Sequence, residues 1–328
     1  MSEINVLTSS WRFADYWGAL RVRLGIGRNR YRVNPGLYKI GTPGEETPVY
    51  VTANYKLSLD HLRRALTGRD SWILVLDTKG INVWCAAGKG SFGTKELVHR
   101  IQNVSLSDLV SHRQLILPQL GAPGMVPSQV RKESGFSICY GPVEAVDLPA
   151  FMDQGQKATP EMRRKRFPLS ERLAVSLTHL SQGILPTLGI ALFFCIIDVL
   201  FFRTPILTTL FDNLLISAAS LIFGTVLAGA LLFVLPGKAF SLKGFILGLF
   251  MYLFLFLPSP TTAGLFIYPL SKILILHCWI VFSVLNLTGS STYTSLSGVR
   301  KEMSISVPLL IAGTAAGLAG IIIGGILG

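Results

Sequence analysis

The sequence predicts an α/β domain with a largely parallel sheet, followed by an all-α bundle of five transmembrane helices. Three observations predict this. Most of the charge lies in the first half of the 328 residues, and candidate strands and helices alternate there. From about residue 174 onward, apolar runs dominate, each near the roughly 20 residues that cross a bilayer. The expected boundaries are 1–47 for a basic arm, 48–170 for the α/β domain and 171–328 for the membrane domain.

Strands and helices of the α/β domain follow from local patterns. Runs rich in β-branched and aromatic residues between turn signals predict strands. Leucines at helical spacing, or a cap before an apolar run, predict helices, with Ser58 as the expected cap of the first one. The predicted strands are 48–54, 72–77, 114–117 and 136–140, and the predicted helices are 58–66, 94–103 and 126–132.

The net charge of +12 is concentrated in two arginine-rich places. One lies between Arg21 and Arg32, and the other, at 163–166, directly precedes the first apolar run. Basic residues beside a span are typical of its cytoplasmic end, and they attract anionic lipid. We therefore expect membrane lipid as a partner and no nucleic acid. The arm at 1–47 should pack over a neighbouring domain or the membrane surface.

The expected spans are about 174–202, 210–235, 240–257, 264–286 and 305–327. Basic residues precede the first span and fill the second and fourth connections, so the N-terminus and the α/β domain should be cytoplasmic, the protein multi-pass in the inner membrane, and the C-terminus outside. The start of the chain has no signal-peptide pattern.

Two features of the spans have alternative interpretations. The repeats Gly313-x-x-x-Gly317 and Gly320-x-x-x-Gly324 favour packing within the bundle over a dedicated dimer interface. The ionisable residues Asp198, Lys272 and His277 are candidates for a transport pathway. Alternatively, Lys272 and His277 could pair with backbone groups or water.

Residues 82–89, Asn-Val-Trp-Cys-Ala-Ala-Gly-Lys, carry the most specific pattern. Asn82 can cap a short helix whose first turn holds Cys85, and a helix N-terminus favours thiolate over thiol. Lys89 adds a positive charge nearby. A thiolate is a soft metal ligand, but one thiolate cannot hold zinc, so the other ligands would come from a macrocycle. The alternative is a small buried cysteine in a turn.

Other site classes fit poorly. Gly88, Gly90 and Gly93 match the dinucleotide fingerprint by letters, but about ten residues separate them from the preceding strand. A Walker loop fails because Gly90, not Ser or Thr, follows Lys89. The four cysteines show no C-x-x-C spacing, so no iron–sulfur cluster is expected in this chain.

The stretch 82–89 resembles the signature of the HgcA family, the corrinoid proteins of the microbial mercury-methylation pair. The resemblance extends over 51–56, 72–93, 118–124 and 134–142, and to the layout of a corrinoid domain followed by five spans. It implies a Rossmann-like corrinoid-binding domain with a cap helix, similar to that of the corrinoid iron–sulfur protein of the acetyl-CoA pathway. Cys85 would be the catalytic residue and the lower axial ligand of cobalt in base-off cobalamin or a related cobamide.

The resemblance also implies a reaction and partners. Methyl-Co(III) would give its methyl group to Hg(II), forming methylmercury in an anaerobic pathway, since a thiolate opposite the methyl group donates electron density to cobalt. The expected electron donor is HgcB, a ferredoxin-like protein with two 4Fe–4S clusters. A methyl-donating corrinoid or pterin methyltransferase system would supply the methyl group. The alternatives are a membrane-anchored corrinoid methyltransferase with another acceptor, or a transporter with a regulatory soluble domain.

The residues expected to bind the corrin are those of the motif together with loop residues at the carboxyl ends of the strands, where parallel sheets bind ligands. Trp84 would either pack against the corrin or belong to the core. The full set is Asn54, Thr78, Asn82, Val83, Trp84, Cys85, Ala86, Ala87, Gly88, Lys89, Gln119, Gly121 and Gly135.

Overall fold

A computed structural model describes residues 4–256, 267–291 and 294–327. The chain divides into two compact units. The first, called the α/β unit below, extends to Arg166, and the second, the helical unit, begins at Phe167 and also includes Arg23–Gly25.

The α/β unit is built on one six-stranded sheet with the order β1-β2-β4-β3-β5-β6. The strands are β1 Asn5–Leu7, β2 Gly36–Ile40, β3 Val49–Ala53, β4 Ser71–Leu76, β5 Gln114–Leu117 and β6 Ser137–Tyr140. Neighbouring strands are parallel except β2 and β4, which are antiparallel. The sheet is therefore mixed. The parallel part is doubly wound, because β4 and β5 lie on opposite sides of β3.

Helices cover both faces of the sheet. They are α1 Phe13–Arg23, α2 Lys56–Ala65, α3 Val83–Gly88, α4 Thr94–Asn103, α5 Leu106–Leu109, α6 Pro127–Ser134 and α7 Leu148–Asp153. Leu74 and Leu76 of β4 join the core that includes α4 and α6, whereas Ile73 and Val75 join the core that includes α2 and α7. A strand buried on both faces must be apolar throughout, which explains the sequence of β4.

Two expectations for this unit differ from the structure. Residues 1–47, expected to form an arm that packs over a neighbouring domain or the membrane surface, contribute strands β1 and β2 to the sheet and also form helix α1. Helix α2 begins at Lys56 with Tyr55 as its N-cap, so Ser58 as the cap was wrong. The Ser58 backbone N–H bonds to the Tyr55 carbonyl at 2.9 Å, which places Ser58 inside the first turn.

The helical unit contains α8 Leu169–Phe202, α9 Ile206–Ile222, a π-helical turn Phe223–Leu227, α10 Ala228–Leu231, α11 Phe240–Phe256, α12 Ile267–Asn286 and α13 Leu296–Leu327. Among the described residues, four helices are long and apolar enough to cross a membrane: Leu169–Phe202, Ile206–Leu231, Ile267–Ser290 and Ser297–Ile326. The apolar helix Phe240–Leu253 is shorter, so the expected count of five spans is not confirmed. The end of the expected span 240–257 and the start of 264–286 lie outside the described residues.

Glycines of α13 pack against α12. A Cβ added to Gly317 would lie 3.1 Å from the Ser271 carbonyl oxygen, and one added to Gly324 would lie 3.2 Å from the Tyr268 backbone nitrogen. Such close approach of two backbones requires small residues. Packing within the bundle is therefore confirmed as a role of these glycines.

A polar cluster lies between α8, α9 and α12. Lys272 Nζ is 2.6 Å from Asp198 Oδ2 and 3.0 Å from Asn213 Oδ1. The Asn213 amide donates to Asp198 Oδ2 at 2.7 Å, and the Tyr268 hydroxyl donates to Asp198 Oδ1. Pairing of Lys272 with backbone groups or water was one alternative, and the structure instead gives it a carboxylate and an amide on neighbouring helices. Among the described residues, His277 Nε2 has no hydrogen-bond partner.

Candidate functional site

Helix α3 begins with a side-chain cap. Asn82 has an extended backbone, with φ −64° and ψ 160°, and its Oδ1 accepts a hydrogen bond from the Cys85 N–H at 2.9 Å. An Asn in this position satisfies one of the unpaired donors at a helix start. The predicted short capped helix is confirmed, and Cys85 lies in its first turn.

The two faces of α3 differ sharply. Ala86 and Ala87 are buried, and Val83 packs against the same core. On the other face, Cys85 is exposed and the Trp84 side chain is 51% exposed. A buried cysteine in a turn and a core tryptophan were the alternatives, and both were wrong. The local sequence therefore presents a thiol and an indole side by side at the surface of the α/β unit.

Helix α3 packs on the 3₁₀ turn Gln119–Gly124, which follows β5 and is called the seat of α3 below. A Cβ on Gly124 would lie 2.0 Å from the Phe92 carbonyl oxygen and 3.2 Å from the Ala87 Cα. A Cβ on Gly121 would lie 2.5 Å from Cε1 of the buried Phe92 ring. The cap helix can therefore dock only where these two residues are glycine. Gly124 and Phe92 were not among the predicted site residues, although Ala-Pro-Gly after a strand signals a special turn.

Asn54, at the carboxyl end of β3, holds the turn that leads into α3. It is 2% exposed, and its Oδ1 accepts hydrogen bonds from the Thr78 N–H at 3.1 Å and the Gly80 N–H at 2.9 Å. Its Nδ2 donates to Asp77 Oδ1 at 3.1 Å. The Asn54 side chain therefore points into the interior of the α/β unit, where it holds the backbone of this turn in place.

The turn after β4 needs this support because it is unusual. Lys79 and Gly80 have φ values of 58° and 74°, a left-handed conformation that disfavours a lysine. The Thr78 hydroxyl lies 2.6 Å from the Ile81 carbonyl and 2.9 Å from Asn54 Oδ1. Direct contact of Asn54 or Thr78 with a corrin stays a prediction. In the structure both side chains hold the turn that precedes α3.

The glycines after Cys85 form a chain reversal. Gly90, with φ 79°, lies just after α3, and a Cβ on Gly93 would lie 2.8 Å from the Gly90 carbonyl oxygen. Among the described residues, apart from the adjoining backbone, no atom lies within 4 Å of a Cβ built on Gly88 or Gly90, so the backbone there is open to a flat ligand. Exposed Lys89 follows the helix, and its N–H bonds to the Cys85 carbonyl at 3.1 Å.

Loops that follow β3, β4, β5 and β6 meet at one edge of the sheet, as predicted. Gln119 lies on this edge, with its N–H 3.5 Å from the Pro142 carbonyl and its Oε1 accepting from the Arg163 guanidinium. Gly135 does not lie there. It ends α6 with φ 78° and precedes β6, so it is at the opposite, amino-terminal edge. Its expected place on the rim was wrong, because a helix returning to a parallel strand ends at that other edge.

Cysteines outside Cys85 are less accessible. Cys195 and Cys278 are buried in α8 and α12, and Cys139 is half-buried in β6. Burial raises the pKa of the Cys139 thiol, although Arg163 opposes the shift, so this thiol stays protonated near neutral pH. Among the described residues, no group of three or more His, Cys, Asp or Glu side chains could hold a metal ion. The α3 site offers one soft donor.

Comparison with known protein families gives a match within the α/β unit. Residues 26–150 match the family described as CdhD, CO dehydrogenase/acetyl-CoA synthase delta subunit. The acetyl-CoA decarbonylase/synthase complex subunit gamma of Methanopyrus kandleri is 33% identical over 129 residues, which are 39% of this chain and 28% of that protein. The corrinoid/iron-sulfur protein large subunit of Moorella thermoacetica is 30% identical over 122 residues, 37% of this chain and 27% of that protein.

The family match includes α3 and the turn on which it packs. The matched range 26–150 contains β2 to β6, α3 and its seat, whereas α1 and the helical unit lie outside it. The chain spans just over a quarter of the length of these relatives. The α/β unit is therefore similar to one part of a corrinoid/iron-sulfur protein, and the remainder of those proteins has no counterpart in the match.

Proposed function

We propose that the chain is a membrane-anchored corrinoid methyltransferase that transfers a methyl group to Hg(II), forming methylmercury. The observation that supports this best is the exposed Cys85 thiol on capped helix α3, within the region similar to a corrinoid/iron-sulfur protein large subunit. The resemblance of residues 82–89 to the HgcA family is the reason for proposing Hg(II) as the methyl acceptor.

The donor set fits a cobamide in base-off form. A planar macrocycle brings its own equatorial nitrogens and needs one axial donor from the protein, which Cys85 can supply. When bound, the cobamide provides a cobalt–carbon bond whose methyl group can be transferred. The open backbone at Gly88 leaves room for a flat ring, and the half-exposed Trp84 can cover it and exclude water.

Cys85 has a specific electronic role in this proposal. As a thiolate it would hold the cobalt of a bound cobamide and donate electron density to it, and ligand identity is one of the main ways by which a protein tunes such a cofactor. Asn82 fixes the first turn of α3 and thereby the position of the sulfur. Asn54 and Thr78 fix the turn before it. These residues are positioning residues, and Cys85 is the catalytic one.

Partners follow from the chemistry. Reducing the cofactor needs low-potential electrons, which we assign to HgcB, a ferredoxin-like protein with two 4Fe–4S clusters. A methyl-donating corrinoid or pterin system supplies the methyl group. We assign the protein to the inner membrane, with the α/β unit in the cytoplasm, and the four helices that are long and apolar enough to cross a membrane support a membrane location.

The test is the variant Cys85→Ala in the full-length chain, purified in detergent and loaded with a cobamide. We expect the visible spectrum of the bound cofactor to change and methylmercury formation to fall below detection, because the axial donor is lost. Cys139→Ala, a half-buried thiol of the same unit, is the matched control and should leave both unchanged. An unaltered spectrum together with full activity in Cys85→Ala would refute the assignment.

A second acceptor class is favoured by the names of the relatives, which belong to acetyl-CoA decarbonylase/synthase complexes. In that case the chain would transfer methyl groups to an acceptor other than Hg(II). Initial rates with Hg(II) and with other thiophilic acceptors, at equal free concentrations, distinguish the two. Transfer that depends on Cys85 but is fastest to another acceptor would support this second function.

A further inference from the structure

Helix α1 of the α/β unit is apolar on two opposite faces. Ala19 and Val22 are buried, at 4% and 3% exposed, on the side of the helix that carries the inward-paired Asp15. On the opposite face lie Phe13, Tyr16, Trp17 and Leu20, at the i, i+3, i+4, i+7 spacing of one helical stripe. Phe13 is 84% exposed, Tyr16 52%, Trp17 54% and Leu20 38%. Tyr16 packs edge-on against Trp11 with ring centroids 5.0 Å apart, yet all four side chains keep a large exposed surface. A helix that only covered its own domain would present polar residues on this face.

The inner face of α1 is held firmly, which fixes the direction of the stripe. Asp15 Oδ1 is 2.6 Å from Lys56 Nζ, and its Oδ2 is 2.7 Å from the Arg63 guanidinium. A Cβ on Gly18 would lie 2.5 Å from the Tyr31 hydroxyl, so helix and Tyr31 are in close contact. The Trp11 indole N–H donates to the Asp60 carbonyl at 2.9 Å. The aromatic side chains are therefore presented outward by a rigid support.

Charge around the stripe has one sign. The segment 11–32 contains six arginines, Arg12, Arg21, Arg23, Arg28, Arg30 and Arg32, and a single acidic residue, Asp15. That carboxylate is turned inward and paired, so it does not offset the positive charge of the outer face. Ile26, just beyond the helix, is also exposed.

We propose that the aromatic stripe of α1, with Arg12, Arg21, Arg28 and Arg30, docks onto the anionic surface of the bilayer. Phe, Trp and Tyr together with Arg are the residues that membrane interfaces accept best, since rings lie at headgroup depth and guanidinium groups bind lipid phosphates. Apolar burial and basic charge are two independent membrane signals in one segment. The apolar helices that begin at Leu169 would hold the chain in the bilayer onto which the stripe docks. This inference rests on the membrane location and not on methyl transfer.

Photo-crosslinking of the full-length chain in lipid nanodiscs tests the proposal directly. p-Benzoylphenylalanine is placed at Trp17 or, as a control of matched exposure in the same unit, at Val126, since these side chains are 54% and 51% exposed. In discs of phosphatidylglycerol and phosphatidylcholine, irradiation should give lipid adducts from position 17 and few from position 126. The readout is the mass of the crosslinked peptide, so it needs no cofactor.

The second part of the experiment varies the charge of the protein and the type of lipid. Arg21→Gln combined with Arg28→Gln should lower the fraction of lipid adduct at position 17 severalfold, and discs of phosphatidylcholine alone should do the same. Both positions are exposed, so these changes leave the core intact. Equal adduct at positions 17 and 126 would overturn the proposal. So would adducts at position 17 to a second copy of the chain or to another protein in place of lipid.

Discussion

The two units use buried polar side chains in opposite ways. In the α/β unit, the Asn54 amide forms hydrogen bonds with backbone N–H groups of the turn before α3 and with Asp77. In the helical unit, Asp198, Asn213, Tyr268 and Lys272 bond to one another across three helices. The first network holds the turn that precedes α3, the helix that carries the exposed thiol of Cys85. The second contains charged groups that neutralise each other.

The first arrangement supports a helix at the surface, and the second holds three helices together. A network that holds backbone can leave a thiol exposed for a cofactor, whereas a closed ion pair between helices satisfies its own members and joins the helices that carry them. Ionisable residues within apolar helices are functional candidates by default. Here Lys272 pairs with Asp198, so these two residues join α12 to α8. The predictions below test that division.

The largest effect is expected from Lys272→Met. Removing the lysine leaves Asp198 buried without its counter-charge, which costs about 3–5 kcal/mol when a buried pair is broken. The free energy of unfolding can be measured on the full chain by SDS titration in mixed micelles, followed by circular dichroism. Methyl transfer per bound cofactor should be unchanged, because the site lies in the other unit.

The double variant Asp198→Leu with Lys272→Met is the control for this cluster. Replacing both charges by apolar groups should restore most of the lost stability, since a matched apolar pair is often as stable as a buried ion pair. If the single variant were fully stable but unable to transfer methyl groups, the cluster would belong to the chemistry and the division between the units would fail.

The next effect is expected from Asn54→Ala in the α/β unit. The variant leaves the buried N–H groups of Thr78 and Gly80 without their acceptor, at a cost of about 3 kcal/mol. Because the turn before α3 loosens, cobamide affinity should fall about 10- to 100-fold, as for residues that orient a metal ligand. Equilibrium titration with the cobamide measures this.

Asn103→Ala is the matched control for Asn54. Asn103 is exposed at the end of α4, and its amide lies 2.9 Å from His99 Nε2. Its replacement should change stability by less than about 0.5 kcal/mol and leave cobamide affinity unaltered. Equal losses in the two variants would show that Asn54 has no particular connection to the site.

The sequence predicts the parts of this fold that local patterns determine. Strands β3, β4, β5 and β6 and helix α4 agree with their predicted positions within a residue or so, because apolar runs and caps determine them. The Asn82 cap and the exposed side of α3 follow from the residues in the motif. The antiparallel pairing of β2 with β4 does not, because it joins segments more than 30 residues apart. Partners such as Lys272 and Asp198, 74 residues apart, are equally invisible to local patterns.

The candidate site divides in the same manner. Cys85 and Asn82 can be recognised from the sequence, since a thiol after a capping residue is a local feature. Gly121 and Gly124 matter because Phe92 and Ala87 approach them in three dimensions, and only the structure shows this approach. Gly135 was misplaced because its neighbours in sequence suggested a loop, whereas the return of α6 to the sheet determines its edge.

The smallest effect is expected from Asn82→Ala, and it isolates the cap from the rest of the network. The Asn82 side chain makes one hydrogen bond to the Cys85 N–H, and losing a cap costs about 1 kcal/mol. The α/β unit should remain folded, since Ala86, Ala87 and Val83 still anchor α3 in the core. The first turn should fray and the position of the Cys85 sulfur should become less defined. We therefore expect a mixed cofactor spectrum, partly that of Cys85→Ala. Asn82→Asp, which retains an acceptor oxygen, should restore the single spectrum of the natural protein. A spectrum of Asn82→Ala identical to that of the natural protein would mean that the seat of α3, and not its cap, sets the position of the sulfur.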